Sequence, residues 1–290
     1  MRIGLITADP DHQLLADTTD LLTPRHEVVA LDPGGHGAGA PDPVPPGELA
    51  DVYLLKARTP RALALARSLE RAGAPVVNSA AATARCQDRT AMAGLALSAG
   101  LPFARTRTLR SCAALAAERL RRPVVVKSRH SRRHDLVARV DDAAQLRALS
   151  ADWADEPVVV QDFVPNDGWD HKLWVIAGRV FAALRRSELA AGGRGPALPL
   201  AADALPPGWL EPVLRVGPVF SLDVYGVDLI DAGEGAPLIV DINAFPGIRG
   251  QAGAPGELAA LALRVAERGR GRRSRPYPAG AEILGESRPK

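Results

Sequence analysis

Aromatic residues are scarce in this chain, 4% of 290, while Ala, Arg, Gly and Pro are heavily used, a bias that reads as genomic base composition. An excess of charge of one sign is lacking as well. The chain has 36 basic against 33 acidic residues, and part of the resulting +3 falls in the segment 264–275. A nucleic-acid-binding face needs a concentrated basic patch with interleaved aromatics, so no nucleic-acid partner is expected. The two cysteines, Cys86 and Cys112, have no CxxC spacing and no pairing logic, which excludes a disulfide framework and a zinc site. Both lie in Ala-rich helical contexts and read as small buried hydrophobes. No apolar stretch reaches the ~18 residues of a membrane span, and the start, MRIGLITADP, lacks the apolar core and cleavage site of a signal peptide. A cytoplasmic chain with no membrane partner is expected.

What is present suits a globular protein: 47% apolar and 24% charged residues, over a length that fits two or three lobes. Residues 1–80 alternate strands and helices. Strands are expected at Met1–Thr7, Glu27–Leu31, Asp51–Leu55 and Pro75–Asn78, and helices at Asp11–Leu22 and Pro60–Ala72. In the first helix Leu14, Leu15, Thr18, Leu21 and Leu22 share a face. A Gly/Pro-rich loop spans Pro33–Pro46. This alternation implies a parallel sheet, without the GxGxxG turn of a dinucleotide site. A helix over Ala80–Ala99 stops at Gly100. A small α+β unit follows, with strands at Arg105–Leu109, Pro123–Lys127, Leu136–Val140 and Glu156–Phe163 and helices at Ala113–Arg121 and Ala143–Leu149. The last section reads as two hairpins, Lys172–Ile176 with Arg179–Leu184 and Val224–Ile230 with Leu238–Ile242. A loop at Ala190–Pro207 separates them, and a closing helix at Glu257–Glu267 leads into a disordered tail at 269–290.

The chemistry concentrates in YGVDLIDAGEGAPLIVDINAFPGIRG, Tyr225–Gly250. Residues two apart on a strand share a face, so Asp241 and Asn243 point the same way, and Asp228 can meet them from the antiparallel neighbour. Two carboxylates and an amide oxygen are hard donors suited to Mg²⁺ bridged by phosphates. The alternative is that both acids are strand-end residues beside turns, but their apolar flanks make an unpaired carboxylate there costly. Lys127 ends the apolar run PVVVK, where it can reach a phosphate, although alone it reads as a solvated strand end. VVVQDFVP, Val158–Pro165, is an apolar strand stopped by proline that could offer backbone groups to an adenine edge.

In this order the elements resemble the ATP-grasp superfamily over roughly residues 78–268. The fold implied is α/β: an N-terminal open parallel α/β lobe (1–80), then an ATP-grasp region (81–268). That region comprises a small α+β lid at about 105–160 and a C-terminal antiparallel-sheet lobe at 161–268. By that resemblance ATP is held by Arg89, Lys127, the hinge Gln161, Asp162, Phe163 and Val164, and Asp170. Asp228, Asp241 and Asn243 match the magnesium ligands, with manganese as the alternative ion. Arg89 stands where relatives usually have lysine.

Two subfamilies compete. DHKLWVIAGRVFAALRR, Asp170–Arg186, resembles RimK-type glutamate ligases, whereas VDINAFPGIRG and the lid KSRHSRRHDLVARV resemble inositol polyphosphate kinases. Lys172 fits both, and His134 matches a lid histidine of the kinases. The implied activity is an ATP- and Mg²⁺-dependent carboxylate–amine ligase working through an acylphosphate, with Arg185, Arg186 and Lys172 as catalytic residues. A small-molecule kinase is the alternative. The expected partners are a small-molecule, amino-acid or peptide substrate, and a second copy of the chain in a homo-oligomer. The lid carries Arg129, His130, Arg132, Arg133 and His134 where many relatives have a Gly-rich loop, and phosphate contact by at least one of them is expected. A solvated basic loop is the other reading. His171 reads as exposed, and Trp169 and Trp174 as packing residues.

Overall fold

The computed structural model describes residues 1–34, 46–118, 122–132, 134–190, 193 and 195–273. The first lobe is a four-stranded parallel sheet in the order β2-β1-β3-β4, from β1 (Arg2–Ile6), β2 (Glu27–Leu31), β3 (Val52–Leu55) and β4 (Val76–Val77). Every residue of β3 is buried, as befits a parallel strand covered on both faces. Helices α1 (Gln13–Leu22) and α2 (Pro60–Arg71) supply the crossovers. Thr59 caps α2, its hydroxyl accepting from the Ala62 N–H at 3.2 Å. On α1 the apolar stripe is narrower than expected, because Leu21 is exposed. The expected loop at Pro33–Pro46 lies mostly in 35–45, outside the described residues.

The expected single helix over Ala80–Ala99 is two helices, α3 (Ala80–Gln87) and α4 (Arg89–Ser98). Asp88 separates them with extended backbone (φ −92°, ψ 101°), and its carboxylate accepts from the Thr90 and Ala91 amides. An aspartate in a run of good helix formers satisfies the free amides of a new first turn better than it continues the old helix.

The segment expected to form the lid folds as a second four-stranded sheet, β5-β8-β6-β7, from β5 (Thr106–Leu109), β6 (Val124–Ser128), β7 (Val137–Val140) and β8 (Val158–Asp162). It packs on α5 (Cys112–Ala116) and α6 (Ala143–Trp153) through Cys112, Leu115, Val126, Leu146 and Val160. Helix α5 is shorter than the expected Ala113–Arg121, of which 119–121 lie outside the described residues.

The third sheet is five-stranded and antiparallel, in the order β11-β10-β9-β12-β13. Its strands are β9 (Trp169–Ile176), β10 (Arg179–Arg186), β11 (Ala197–Leu200), β12 (Val224–Asp231) and β13 (Pro237–Ala244). The expected loop at Ala190–Pro207 therefore contains an edge strand, and a 3₁₀ turn follows at Ala202–Ala204. Helix α7 (Leu210–Phe220) had no counterpart in the sequence reading. Pro212 and Pro218 obscure its stripe of buried Val213, Val216 and Phe220. Pro212 lies in the first turn, where its missing N–H has no helical acceptor to lose. The closing helix α8 runs Ala254–Arg273, longer at both ends than expected, so 269–273 are helical while 274–290 lie outside the described residues.

One face of this sheet (Leu173, Val175, Val227, Leu229, Ile242) packs against α4 and α7. Part of the other face (Ile176, Val224) joins α1, α8 and the first sheet in a second core. Buried Asn78 fastens the first lobe to β12: its amide donates to the Val224 carbonyl at 2.6 Å and accepts from the Asp223 and Val224 amides at 2.8 and 3.0 Å. Among the described residues, no helix is long and apolar enough to cross a membrane.

Candidate active site

The lid sheet and the C-terminal sheet each bury one face and turn the other toward a shared cavity of about 840 Å³. That size suits a nucleotide-sized ligand. Every expected site residue lines it: Arg89, Lys127, Gln161, Asp162, Phe163, Val164, Asp170, Lys172, Arg185, Arg186, Asp228, Asp241 and Asn243.

Register explains the convergence. Lys172 of β9 lies opposite Asp228 of β12, and Asp228 lies opposite Asp241 of β13. Directly opposed residues share a face, so the three form one cross-strand row. Asn243 follows two positions after Asp241, and Arg185 lies opposite Asp170. Beyond Asp228 the register shifts: Leu229 pairs with Ile239, leaving Val240 as the extra residue of a β-bulge. The bulge reverses the in–out phase of β13, so that Ile239 is buried in the core while Asp241 faces the cavity. It also frees the Val240 carbonyl, which accepts from Lys127 Nζ at 2.8 Å.

Each expected metal donor is already engaged. Asp228 pairs with Lys172 Nζ at 2.6 Å, and the same ammonium lies 3.4 Å from Asp170. Asp241 is 3.6 Å from Arg89 Nη2 and accepts from the Ile242 N–H, while Asn243 Oδ1 accepts from Arg58 Nη1 at 3.3 Å. Among the described residues no three His, Cys, Asp or Glu side chains form a metal-binding group, so the expected set relies on the Asn243 amide as its third donor. Two carboxylates and an amide oxygen on one sheet face fit a hard divalent cation. Lys172 and Arg89 balance the charge of the two carboxylates.

Arg89 opens α4 and is buried. It donates to the Ser128 carbonyl at 2.8 Å and to Asp135 at 2.6 Å. Burial works against its charge, but Asp241 and Asp135 outweigh that and hold the guanidinium above its ordinary pKa. Lys127 is driven the other way: burial lowers its pKa, with Asp241 opposing. Arg185 has a buried Nε with no hydrogen-bond partner. Its neighbour Arg186 lies 5.3 Å from the Trp169 ring and donates to the Asp167 carbonyl. The expected arginine pair is therefore divided between two environments.

The expected hinge residues are partly engaged within the fold. Gln161 donates to Thr106 Oγ1, Asp162 points outward to Arg122 at 2.7 Å, and the Phe163 N–H donates to the Pro123 carbonyl. Arg139 covers the Phe163 ring at 3.9 Å.

In the basic lid loop, Arg129 is bidentate to Asp88 and Arg132 is bidentate to Glu156. Arg132 and His134 line the cavity, while Arg133 lies outside the described residues. His171 is half-buried, its ring 4.6 Å edge-on from that of the fully buried Trp209 rather than simply exposed. Burial lowers its pKa. Cys86 and Cys112 are buried and free as expected, and burial pushes the Cys86 thiol up to about 12.

Arg58 and Asp135 are cavity residues that the sequence reading missed. The signal for Arg58 was its position just past the carboxyl end of parallel strand β3, where open α/β sheets bind ligands. Asp135 had no comparable signal.

A family model described as a RimK-like ATP-grasp domain matches residues 107–260. A relative from Hahella chejuensis (strain KCTC 2396), named "Probable alpha-L-glutamate ligase 2", is 30% identical over 144 residues, 44% of this chain and 44% of its own. The chain spans less than half the length of the curated relatives it matches. The crystal structure of a RimK domain ATP-grasp protein from Sphaerobacter thermophilus DSM 20745 superposes with a TM-score of 0.72 at 22% identity, covering 91% of this chain and 100% of that one. D-alanine–D-alanine ligase from Bacillus anthracis, complexed with ATP, superposes with a TM-score of 0.67 at 17% identity, over 94% and 99% of the two chains. Both likenesses are of fold.

Proposed function

This chain belongs to the RimK-like ATP-grasp family, and from that premise we propose that it is an ATP- and Mg²⁺-dependent carboxylate–amine ligase acting on an amino acid, a peptide or a small metabolite. The observation that carries the reading is the convergence of all the expected phosphate, hinge and metal positions on one cavity between two sheets. The name of the Hahella relative supports an amino-acid substrate such as glutamate.

In this reading Lys127 and Arg89 hold phosphate oxygens, and Arg89 exchanges Asp135 for them. Asp228, Asp241 and Asn243 hold the magnesium, which supplies Lewis-acid neutralisation of phosphate charge. A substrate carboxylate oxygen attacks the γ-phosphorus, the bond from that phosphorus to the β–γ bridging oxygen breaks, and ADP leaves. An amine then attacks the acyl carbon of the acylphosphate, the acyl C–O bond breaks, phosphate leaves, and the amine proton passes to solvent. Arg185, which lines the cavity and has a buried Nε without a hydrogen-bond partner, neutralises the acylphosphate. Lys172 compensates Asp228 and Asp170 and keeps the metal end from excess negative charge. A carboxylate is already a nucleophile, so no general base is needed in the first step.

The test is an incubation with ATP, Mg²⁺ and pooled amino acids. Equal release of ADP and inorganic phosphate with a new amide is expected, and Asp241→Ala should cut it on the order of 100-fold. ADP accompanied by a phosphorylated acceptor and no free phosphate would make the chain a kinase and overturn the ligase reading.

A further inference from the structure

A second group of cations starts at the edge of the nucleotide cavity with Arg58 and continues beyond it, where the first lobe meets the loop after β13. β1 and β3 are parallel neighbours, so their carboxyl ends open on the same side. The Lys56 and Ala57 amides both donate to the Ile6 carbonyl, which fixes Lys56 beside the end of β1. Arg58 follows, its own carbonyl held by Gln87 Nε2 at 2.5 Å and its guanidinium on Asn243. Helices α1 and α2 start here too, at Gln13 and Pro60, and point their N-termini at the crevice. Across it runs the loop 245–250 with Arg249. A Cβ on Gly247 would lie 3.2 Å from His12 Nε2, so the glycine lets the imidazole lie against this loop.

The charges do not balance within the crevice. Lys56, Arg58 and Arg249 are near neighbours electrostatically, and the acid that acts on Lys56 is Asp9. Among the described residues, none of the three cations has a carboxylate within 4 Å. His12 Nδ1 is buried with no hydrogen-bond partner. Burying an ammonium without a counter-charge is costly, and helix N-termini at the carboxyl ends of parallel strands favour an anion.

We propose that this crevice is an anion subsite in which Lys56, Arg58 and Arg249 receive a carboxylate of the substrate. The assignment deepens the ligase reading and rests on it. Arg58 touches Asn243, so an anion held here stands next to the metal end of the nucleotide cavity, where a reacting carboxylate has to be.

The test titrates the full chain with L-glutamate, L-glutamine and inorganic phosphate by calorimetry, with and without a non-hydrolysable ATP analogue. Lys56→Met and Arg249→Gln are compared with wild type. Arg249 is exposed, so its loss leaves the fold intact. Glutamate is expected to bind, and each variant to weaken it about tenfold or more, while affinity for the ATP analogue changes less than about twofold. Unchanged glutamate affinity in both variants, or glutamate binding in neither condition, overturns the assignment. Binding of phosphate with none of glutamate overturns the carboxylate specificity. Glutamate binding is read without turnover, so its failure is separate from a failure of the ligase assay.

Discussion

Lys56→Met should make the ligand-free protein more stable at neutral pH and leave it no more stable at high pH. Burial, with Arg58 and Arg249 adding to it against Asp9, lowers the Lys56 pKa from its ordinary 10.5 to about 8. His12, pressed into the same crevice, is itself lowered by burial and by Lys56. The fall from 10.5 to about 8 corresponds to about 3 kcal/mol, and screening at the solvent side reduces this to about 1–3 kcal/mol. Between pH 8 and 10.5 the unfolded chain keeps the Lys56 proton that the folded chain has lost, so stability rises with pH across that window. Below pH 8 the group is charged in both states, and the whole penalty is present. The variant, lacking the charge, should therefore gain about 1–3 kcal/mol at pH 7, and the advantage should fade by pH 10.5. Urea unfolding of both proteins at pH 7 and pH 10.5 measures it, and the wild-type-to-variant difference cancels other titrating groups. A variant less stable at pH 7, by an amount that does not change with pH, would refute the argument that Lys56 is an uncompensated cation.

Lys127→Met should weaken ATP binding by roughly 10–100-fold, the loss of one charge-assisted contact in a buried site, as read by calorimetry in the presence of Mg²⁺. Asn78→Ala removes three hydrogen bonds to Asp223 and Val224 at the start of β12 and leaves buried backbone groups unpaired; a loss of about 2–3 kcal/mol in urea unfolding is expected.

The sequence displays the strands of the site because each is a short apolar run interrupted by one charged residue that points the other way. PVVVK and VDIN fall in that class, and their register needs only period-two alternation. The bulge at Val240 does not show in the sequence, since nothing marks Val240 as the residue without a partner. Yet the bulge brings Asp241 and Asn243 to the cavity while Ile239 stays in the core. The break at Asp88 is concealed for a different reason: its immediate neighbours Gln87 and Arg89 are good helix formers, and the acid that caps α4 is held by Arg129, 41 residues away. Helix α7 is hidden by its prolines. Arg58 escaped notice because the first lobe has no motif, and its place at the cavity follows from topology alone.

The break at Asp88 has a mechanical consequence. Residues 87–89 are clamped to the lid by the Arg129 guanidinium, by the Arg89 N–H on the Arg129 carbonyl, and by the Ser131 N–H on the Gln87 carbonyl. The Gln87 side chain is clamped in turn to the Arg58 carbonyl. A lid that swings away must either tear these links or drag the joint with it. Arg89 and the Arg58 backbone are thereby coupled through the Gln87–Arg89 joint, and neither can shift against this sheet without straining the links of the other.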